Sequence, residues 1–356
     1  MALVQNAPAE EWVYTVRPGD NPWSLSQKYA LDMQYWPEIV RRNGISDATH
    51  IPPGTRLRIP LEWLKHDVRP IPVRALDVRG DAKVRPAAGG PATAIQNGAA
   101  LQPGDEVTTG ATGNVLLEFI DGSQVRVLAD STVVLDTLDV YVKSTTVDTR
   151  LHLQRGRLDQ TVTPRQETGT RFEIRTPAAV AAVRGTQFRV SADSAATMRV
   201  EVDGGKVNVG NASGNQAIAA NFGTIASPSA GPQRAIALLP APDVSGIANS
   251  ATQFDLQWPA LPGAVEYRVQ VLKNTQKRLG LLVFNQGRLV RTEQANVKNI
   301  LALLADKKVS TPAFKLPNVA NGQYRVRIRG IDSQGLEGLS ADHDILLLAT
   351  TGPAKP

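Results

Sequence analysis

The chain has 356 residues, with 39 basic against 33 acidic residues for a net charge of +6, 42% hydrophobic and 5% aromatic residues, and no cysteine. The length predicts two or three domains of roughly 100–200 residues each, and the missing cysteine excludes disulfides and thiolate metal sites. The small, scattered charge excess and the few aromatics exclude the basic stripe and stacking platforms of a nucleic-acid binder. His50, His66, His152 and His343 stand far apart without ligand spacing, so no metal site is expected. No apolar run approaches the ~20 residues that span a bilayer, so no membrane span is expected in this chain. The first residues lack a basic n-region and an apolar h-region. If the native protein is exported, its signal peptide is expected to have been replaced by an expression start.

Residues 12–60 read as β-α-α-β. Val13 to Val16 is a short strand, and Pro18-Gly19-Asp20 is a turn signal. Asn21 can cap a helix from Pro22 to Ala30, since a proline in the first turn loses no hydrogen bond. A second helix is predicted over Met33 to Asn43, with Trp36, Ile39 and Val40 inward and Gly44 as its left-handed cap. Ile51-Pro52-Pro53-Gly54-Thr55 is a turn, and Arg56 to Pro60 is the closing strand. The pattern YTVRPGDNPWSLSQKYA, then Asn43-Gly44-Ile45, then IPPGTRLRIP resembles a LysM module across nearly its whole length. The resemblance implies a shallow groove for N-acetylglucosamine-containing glycan such as peptidoglycan. By position the groove would be formed by Gly19, Asp20, Asn21, Pro22 and Trp23 of one loop and Ile51, Pro52, Pro53 and Gly54 of the other. Asn21-Pro22 departs from the Thr-Leu common in such modules. Trp23 and Trp36 also suit a core, because a module this small relies on large aromatics.

Residues 61–72 read as a linker with Pro70 and Pro72, in which Trp63 packs back on the first module. From 73 to 236 the pattern is all β. Val115, Leu117 and Phe119 alternate, Asp121-Gly122 turns, and Val125 and Val127 answer, which is a hairpin signal. Val200 and Val202, Asp203-Gly204-Gly205, then Val207 and Val209 read as a second hairpin. Frequent short strands imply a sandwich, a barrel or a solenoid-like stack. Between these hairpins lies FEIRTPAAVAAVRGTQFRV, 172–190: a strand, a Thr-Pro break, a small apolar run, Arg184-Gly185-Thr186, and a second strand. Arg184 is expected to be semi-buried. This stretch, together with GDEVTTGATGNVLLEFIDGSQVRV, resembles the FecR family of bacterial envelope domains. That implies an envelope β domain, without an iron role.

Residues 237–252 read as a second linker, 253–349 as a third unit, and 350–356 as a tail. Phe254-x-Leu256-x-Trp258, Tyr267-x-Val269-x-Val271 and Tyr324-x-Val326-x-Ile328 are alternating strands, and IDSQGLEG is a turn. The cues Trp258 and Tyr324 resemble a fibronectin type III or related immunoglobulin-like sandwich. Val297 to Asp306 departs from that pattern and reads as a helical turn or two. Arg325, Arg327 and Arg329 share one strand face, either solvated or facing an acidic polymer or partner. The fold class expected is thus multidomain and mainly β, with the three units independent and in a row.

No Walker loop, dinucleotide fingerprint or GxSxG elbow is present, so no catalytic residue and no cofactor is assigned. The leading expectation is a non-enzymatic periplasmic protein that holds peptidoglycan or a related glycan through residues 12–60. Its β domains would serve as spacers or as a surface for an envelope protein partner. The alternatives are an envelope sensor working through the FecR-like domain and an accessory to a cell-wall hydrolase.

Overall fold

The structure, a computed structural model, describes residues 11–16, 20, 25–26, 29–30, 32–47, 51–52, 55–64, 68–141, 146–164, 171–183, 185–247, 253–285 and 288–347. It is multidomain and mainly β.

At the N-terminus, Glu11–Thr15 pairs antiparallel with Arg56–Pro60, placing Trp12 opposite Ile59 and Tyr14 opposite Leu57. Leu25, Ser26 and Tyr29 are helical. The second predicted helix divides into a 3-10 turn, Met33–Tyr35, and an α-helix, Trp36–Arg42. The division follows from the local chemistry. The Asp32 side chain accepts from the Gln34 amide, and Pro37 sits at the start of the α-helix, where it displaces no intrahelical donor. Asn43 ends the helix and ties it to the sheet. Its amide nitrogen donates to the carbonyls of Ile39 and Arg58, and its amide oxygen accepts from the Arg58 N–H at 2.7 Å. Gly44 takes φ 61° there, as its cap role requires. Trp12, Tyr14 and Tyr29 form an aromatic cluster with centroids 5.0–5.4 Å apart. Ile39 is buried, while Trp36 and Val40 are half-buried. Trp63 stacks on Tyr35 at 5.2 Å.

The central region is two sheets that share one strand and close on themselves. That strand, Thr146–Thr161, pairs along its first part with Thr132–Tyr141 and along its last part with Gln187–Ala192 and Gln124–Val127. The change of sheet occurs at Gly156, which has φ 96°; a Cβ there would lie 2.4 Å from the Ser131 Cα. Only glycine meets both demands. Strand Arg171–Arg175 runs parallel to the shared strand and antiparallel to Val180–Val183. Thr176 makes the turn between them, its hydroxyl receiving the Ala178 and Ala179 amides.

The Asp121-Gly122 hairpin forms as predicted, with Val125 opposite Leu117 and Val127 opposite Val115. The Asp203-Gly204-Gly205 segment does not close a hairpin. Met198–Gly204 pairs with Gln187–Ala192 and Phe222–Ala226, whereas Lys206–Asn211 pairs with Val180–Val183 and Gly214–Ala219. The segment is a corner that passes from one sheet to the other. Arg184-Gly185-Thr186 makes the same passage between Val180–Val183 and Gln187–Ala192, with Arg184 outside the described residues. The two corners abut: a Cβ on Gly205 would lie 2.8 Å from the Gly185 carbonyl. Alternation cannot separate a hairpin from such a corner, because Val200, Val202, Val207 and Val209 all enter one core either way.

The stretch read as a linker contributes the strand Val68–Pro70, which pairs with Asp139–Tyr141. The C-terminal region has a two-stranded sheet, Phe254–Gln257 with Ala313–Leu316, and a four-stranded sheet. The four-stranded sheet is built on a long hairpin, Glu266–Asn285 with Arg288–Val309. Val297 to Asp306 is therefore strand and not helix. Its apolar run is needed on two faces, because Ile300 packs on Leu76 and Leu116, and Leu303 packs on Leu128, all of the central region.

The units thus do not lie as separate beads. The Trp12 indole of the first module donates to the buried Asp139 carboxylate of the central region. At the other end, Glu337 of the IDSQGLEG turn is 1% exposed and ion-paired with Arg157, Arg268 and Arg329. Arg189, also 1% exposed, pairs with Asp203 and donates to the carbonyls of Glu337 and Gly338 at 2.9 and 3.1 Å. Lys277 of the hairpin reaches the Leu76 carbonyl and Asp77, and Lys298 reaches Glu118. The arginine stripe is used up in this way. Arg325 and Arg327 are held bidentate by Asp344 and Asp342 of the adjacent strand, and Arg329 is buried in the docking network.

Candidate glycan-binding site

The two loops assigned to the groove leave the same end of the N-terminal two-stranded sheet. Thr15 is paired with Arg56, and just beyond it the Val16 N–H donates to the Thr55 carbonyl at 2.8 Å. Strand pairing therefore brings together two segments some thirty residues apart in sequence, which is the minimum a two-loop groove requires.

Of the nine assigned residues, Gly19, Asn21, Pro22, Trp23, Pro53 and Gly54 lie outside the described residues. Asp20, Ile51 and Pro52 are described. Asp20 is half-buried, and its carboxylate accepts from the Tyr14 hydroxyl at 2.5 Å. That bond ties Asp20 to the aromatic cluster. Ile51 is 5% exposed and packs in the same cluster. It anchors the second loop from beneath. Pro52 is exposed, and its carbonyl accepts both the Thr55 amide at 3.1 Å and the Thr55 hydroxyl at 2.7 Å. These two bonds tie Thr55 back to Pro52. The described part of the site is thus scaffold: one carboxylate, one buried aliphatic and one closed turn, each fastened to the strands or the core.

Among the described residues no group of three or more His, Asp or Glu side chains could hold a metal ion. Two residues that organise the module's setting carry no sequence signal. Trp12 precedes the strand read at Val13 to Val16, yet it lies within the observed strand and contacts both the aromatic cluster and Asp139. Asp139 sits in the strand Thr132–Tyr141 and is buried. Burial pushes its carboxyl up to about 8; the Trp12 hydrogen bond opposes this, and Asp148 and Asp136 add to it.

Comparison with known proteins supports the two regional readings. Residues 14–60 match the LysM domain. Residues 105–208 match the FecR protein family. No curated protein matches the chain. Among solved structures, two crystal structures of "a putative anti-sigma factor from Parabacteroides distasonis ATCC 8503", at 2.50 and 1.65 Å resolution, are similar at 21% identity, with TM-scores of 0.30 and 0.31. Each match covers 36% of this chain and 58% of the other. The chain therefore spans little more than half the length of those proteins. Both matched families consist of binding or signalling domains, and no enzyme family is indicated. No helix of the described residues is long and apolar enough to cross a membrane.

Proposed function

We propose that this is a non-enzymatic protein of the bacterial envelope, residing in the periplasm, that binds peptidoglycan or a related N-acetylglucosamine-containing glycan through residues 12–60. The observation that carries the reading is the LysM match over 14–60, with the two loop bases fastened at one sheet end by Tyr14–Asp20 and by the Pro52–Thr55 turn. Loops preset in this way lose little entropy on binding. A neutral acetamido sugar needs backbone donors and acceptors held open by turns, and Gly19, Pro22, Pro53 and Gly54 suit that need. A shallow groove buries little area, so one module binds in the micromolar-to-millimolar range, about −4 to −8 kcal/mol. A polymer with repeated sites raises the apparent affinity.

The central and C-terminal regions serve in this proposal as a rigid platform for an envelope protein partner. The FecR match supports that role. The C-terminal unit is read as fibronectin type III-like. Trp258 is buried, and the Tyr324 hydroxyl donates to the Ala320 carbonyl four residues upstream, the bond of a tyrosine corner.

The test is sedimentation of the full chain with purified peptidoglycan, alongside Gly54→Trp and Asp20→Ala variants, at low and high salt. Binding should fall at least tenfold in Gly54→Trp and change little with salt. Unchanged binding in both variants, or steep loss with salt, would remove the loops from the reading.

A further inference from the structure

One of the two central sheets ends at the strand Gly214–Ala219, which pairs on one side with Lys206–Asn211 and on the other with no strand among the described residues. The hairpin joining the two has a two-residue loop, Ala212-Ser213. Its closing pair, Asn211 and Gly214, therefore exchanges both hydrogen bonds, and every second pair does the same. The Ala220 N–H, which donates to the Gly205 carbonyl at 3.0 Å, continues that alternation. Gly214, Gln216 and Ile218 thus turn their backbone groups toward the neighbouring strand. Asn215, Ala217 and Ala219 aim theirs away from it, and among the described residues no hydrogen bond reaches those groups.

An open row of N–H and C=O groups pairs readily with another strand, and folded proteins guard such edges with charge or keep them short. The open edges of similar length elsewhere in the molecule carry ionised side chains: Asp342 and Asp344 on Ala341–Leu347, Asp255 and Lys315 on the two-stranded C-terminal sheet, and Glu11, Arg56 and Arg58 on the N-terminal pair. Gly214–Ala219 has six residues and no ionisable one, and Gly214, Asn215, Ala217 and Ala219 are exposed. A second feature lies on the facing sheet. Phe222 stands opposite Val202, a core residue, and so points into the space between the sheets, yet it is 38% exposed. The two sheets are open at this end.

We propose that Gly214–Ala219 is a self-association edge, at which a second copy of this chain adds the same strand antiparallel and continues the sheet. The strand is complementary to itself. A two-fold axis through Ala217, perpendicular to the sheet, sets Ala217 opposite its own copy, Asn215 opposite Ala219, and Gln216 opposite Ile218. Every such pair is uncharged, so no like charges meet. The same axis joins the outward groups of Asn215, Ala217 and Ala219 into hydrogen-bonded pairs, and each side chain keeps its face. A sheet extended in this way also reaches over Phe222. The contact uses one surface twice, so it closes as a dimer. Two N-terminal modules per dimer would raise the apparent affinity for a polymer; that consequence alone rests on the glycan proposal.

The experiment is sedimentation velocity of the full chain from about 5 to 500 µM, the range suited to an interface as small as one strand pair. The parent should show a concentration-dependent equilibrium of monomer and dimer. Ala217→Lys sets two ammonium groups opposite each other across the axis. Ala217→Pro removes an outward N–H and no bond to Lys206–Asn211. Each should weaken dimerisation by about tenfold or more, with thermal melting to show that the fold is kept. A cross-link needs neither variant. The chain has no cysteine, so Ala217→Cys carries a single thiol, about 5.5 Å from its copy between Cα atoms. A short bismaleimide should join it into a dimer, and should leave Val265→Cys, at a site 55% exposed on the C-terminal unit, monomeric. The proposal is overturned if the parent is monomeric throughout, if dimerisation is unchanged in either folded variant, or if the two cysteine variants cross-link equally.

Discussion

The two junctions of the molecule bury carboxylates under opposite terms. At the N-terminal junction Asp139 has an indole N–H as its hydrogen-bond donor and faces Asp148 directly across the strand pair. Burial dominates, and its carboxyl rises to about 8. At the C-terminal junction burial alone would raise Glu337 as well, but Arg157, Arg268, Arg329 and Arg189 surround it and hold it down to about 2. Asp159, among the same arginines, is likewise held well below the usual range. Desolvation is common to both places, and the number of guanidinium groups within reach decides its outcome. One junction is then a neutral seam near neutral pH, and the other is a charged network whose members depend on one another.

The largest expected effect is at the network. Glu337→Gln leaves Arg157, Arg268 and Arg329 without their shared carboxylate, and breaking a buried pair from one side costs about 3–5 kcal/mol. Chemical denaturation should show that loss, with the C-terminal unit's transition separating from the rest; a single transition at the parental midpoint would refute the network's role. Next is Gly156→Ala, which meets Ser131 and a positive φ together. It should cost about 2–4 kcal/mol. Because Arg157 and Asp159 follow the bend and pair with Glu337 and Arg329 of the C-terminal unit, the docking should loosen, and cleavage between the units should speed up on limited proteolysis.

The pH response sharpens the contrast further. Asp139 is raised in the folded state, so the folded protein holds more protons than the unfolded chain between about pH 4 and 8. Stability from this group is greatest below that window and falls as pH rises through it, by at most about 1.4 kcal/mol per unit. Glu337 is depressed, so its contribution is complete above the ordinary glutamate value and is lost as pH falls from there toward 2. Thermal melts from pH 4 to 9 should show the first slope in the parent and a flattened one in Asp139→Asn; an identical slope in both would show that Asp139 does not titrate there. Trp12→Phe keeps an aromatic side chain but removes the donor to Asp139 and part of the buried indole, for a loss of about 1–2 kcal/mol. It should also move the falling limb to higher pH, since the indole bond favours the charged form. Arg325→Ala stands at the low end. Its partner Asp344 is 67% exposed, and screened pairs of this kind contribute about 0–1 kcal/mol. A change in melting of several degrees would place Arg325 in the network with Arg329.

Local pattern was enough for several elements, because their causes are local. Asn43-Gly44 ends the helix through its own backbone and side chain. Asp121-Gly122 closes a hairpin because the turn residues touch only the strands they join. The pairing of Trp12 to Tyr14 with Leu57 to Ile59 follows from alternation, and with it the placement of the two candidate loops at one end of the sheet. Three matters depended on residues distant in the chain. Asp203-Gly204-Gly205 carries the same letters as a hairpin but turns a corner, since the partner of Lys206–Asn211 is Val180–Val183. Val297 to Asp306 has the composition of a buried helix, yet it is held extended by Gln270 to Arg278 along one edge and covered by Leu76, Leu116 and Leu128. Arg126, Arg189 and Glu201 alternate with apolar residues as solvent-facing residues do, yet the docked C-terminal unit covers them: Arg126 donates to the Leu301 carbonyl, Arg189 to the Glu337 and Gly338 carbonyls, and Glu201 accepts from the Glu337 N–H. A sequence records the period of a strand, which assigns each side chain to one of two faces. What covers the outer face is set by whichever distant segment folds over it, and here that segment also supplies the charges that make burial tolerable.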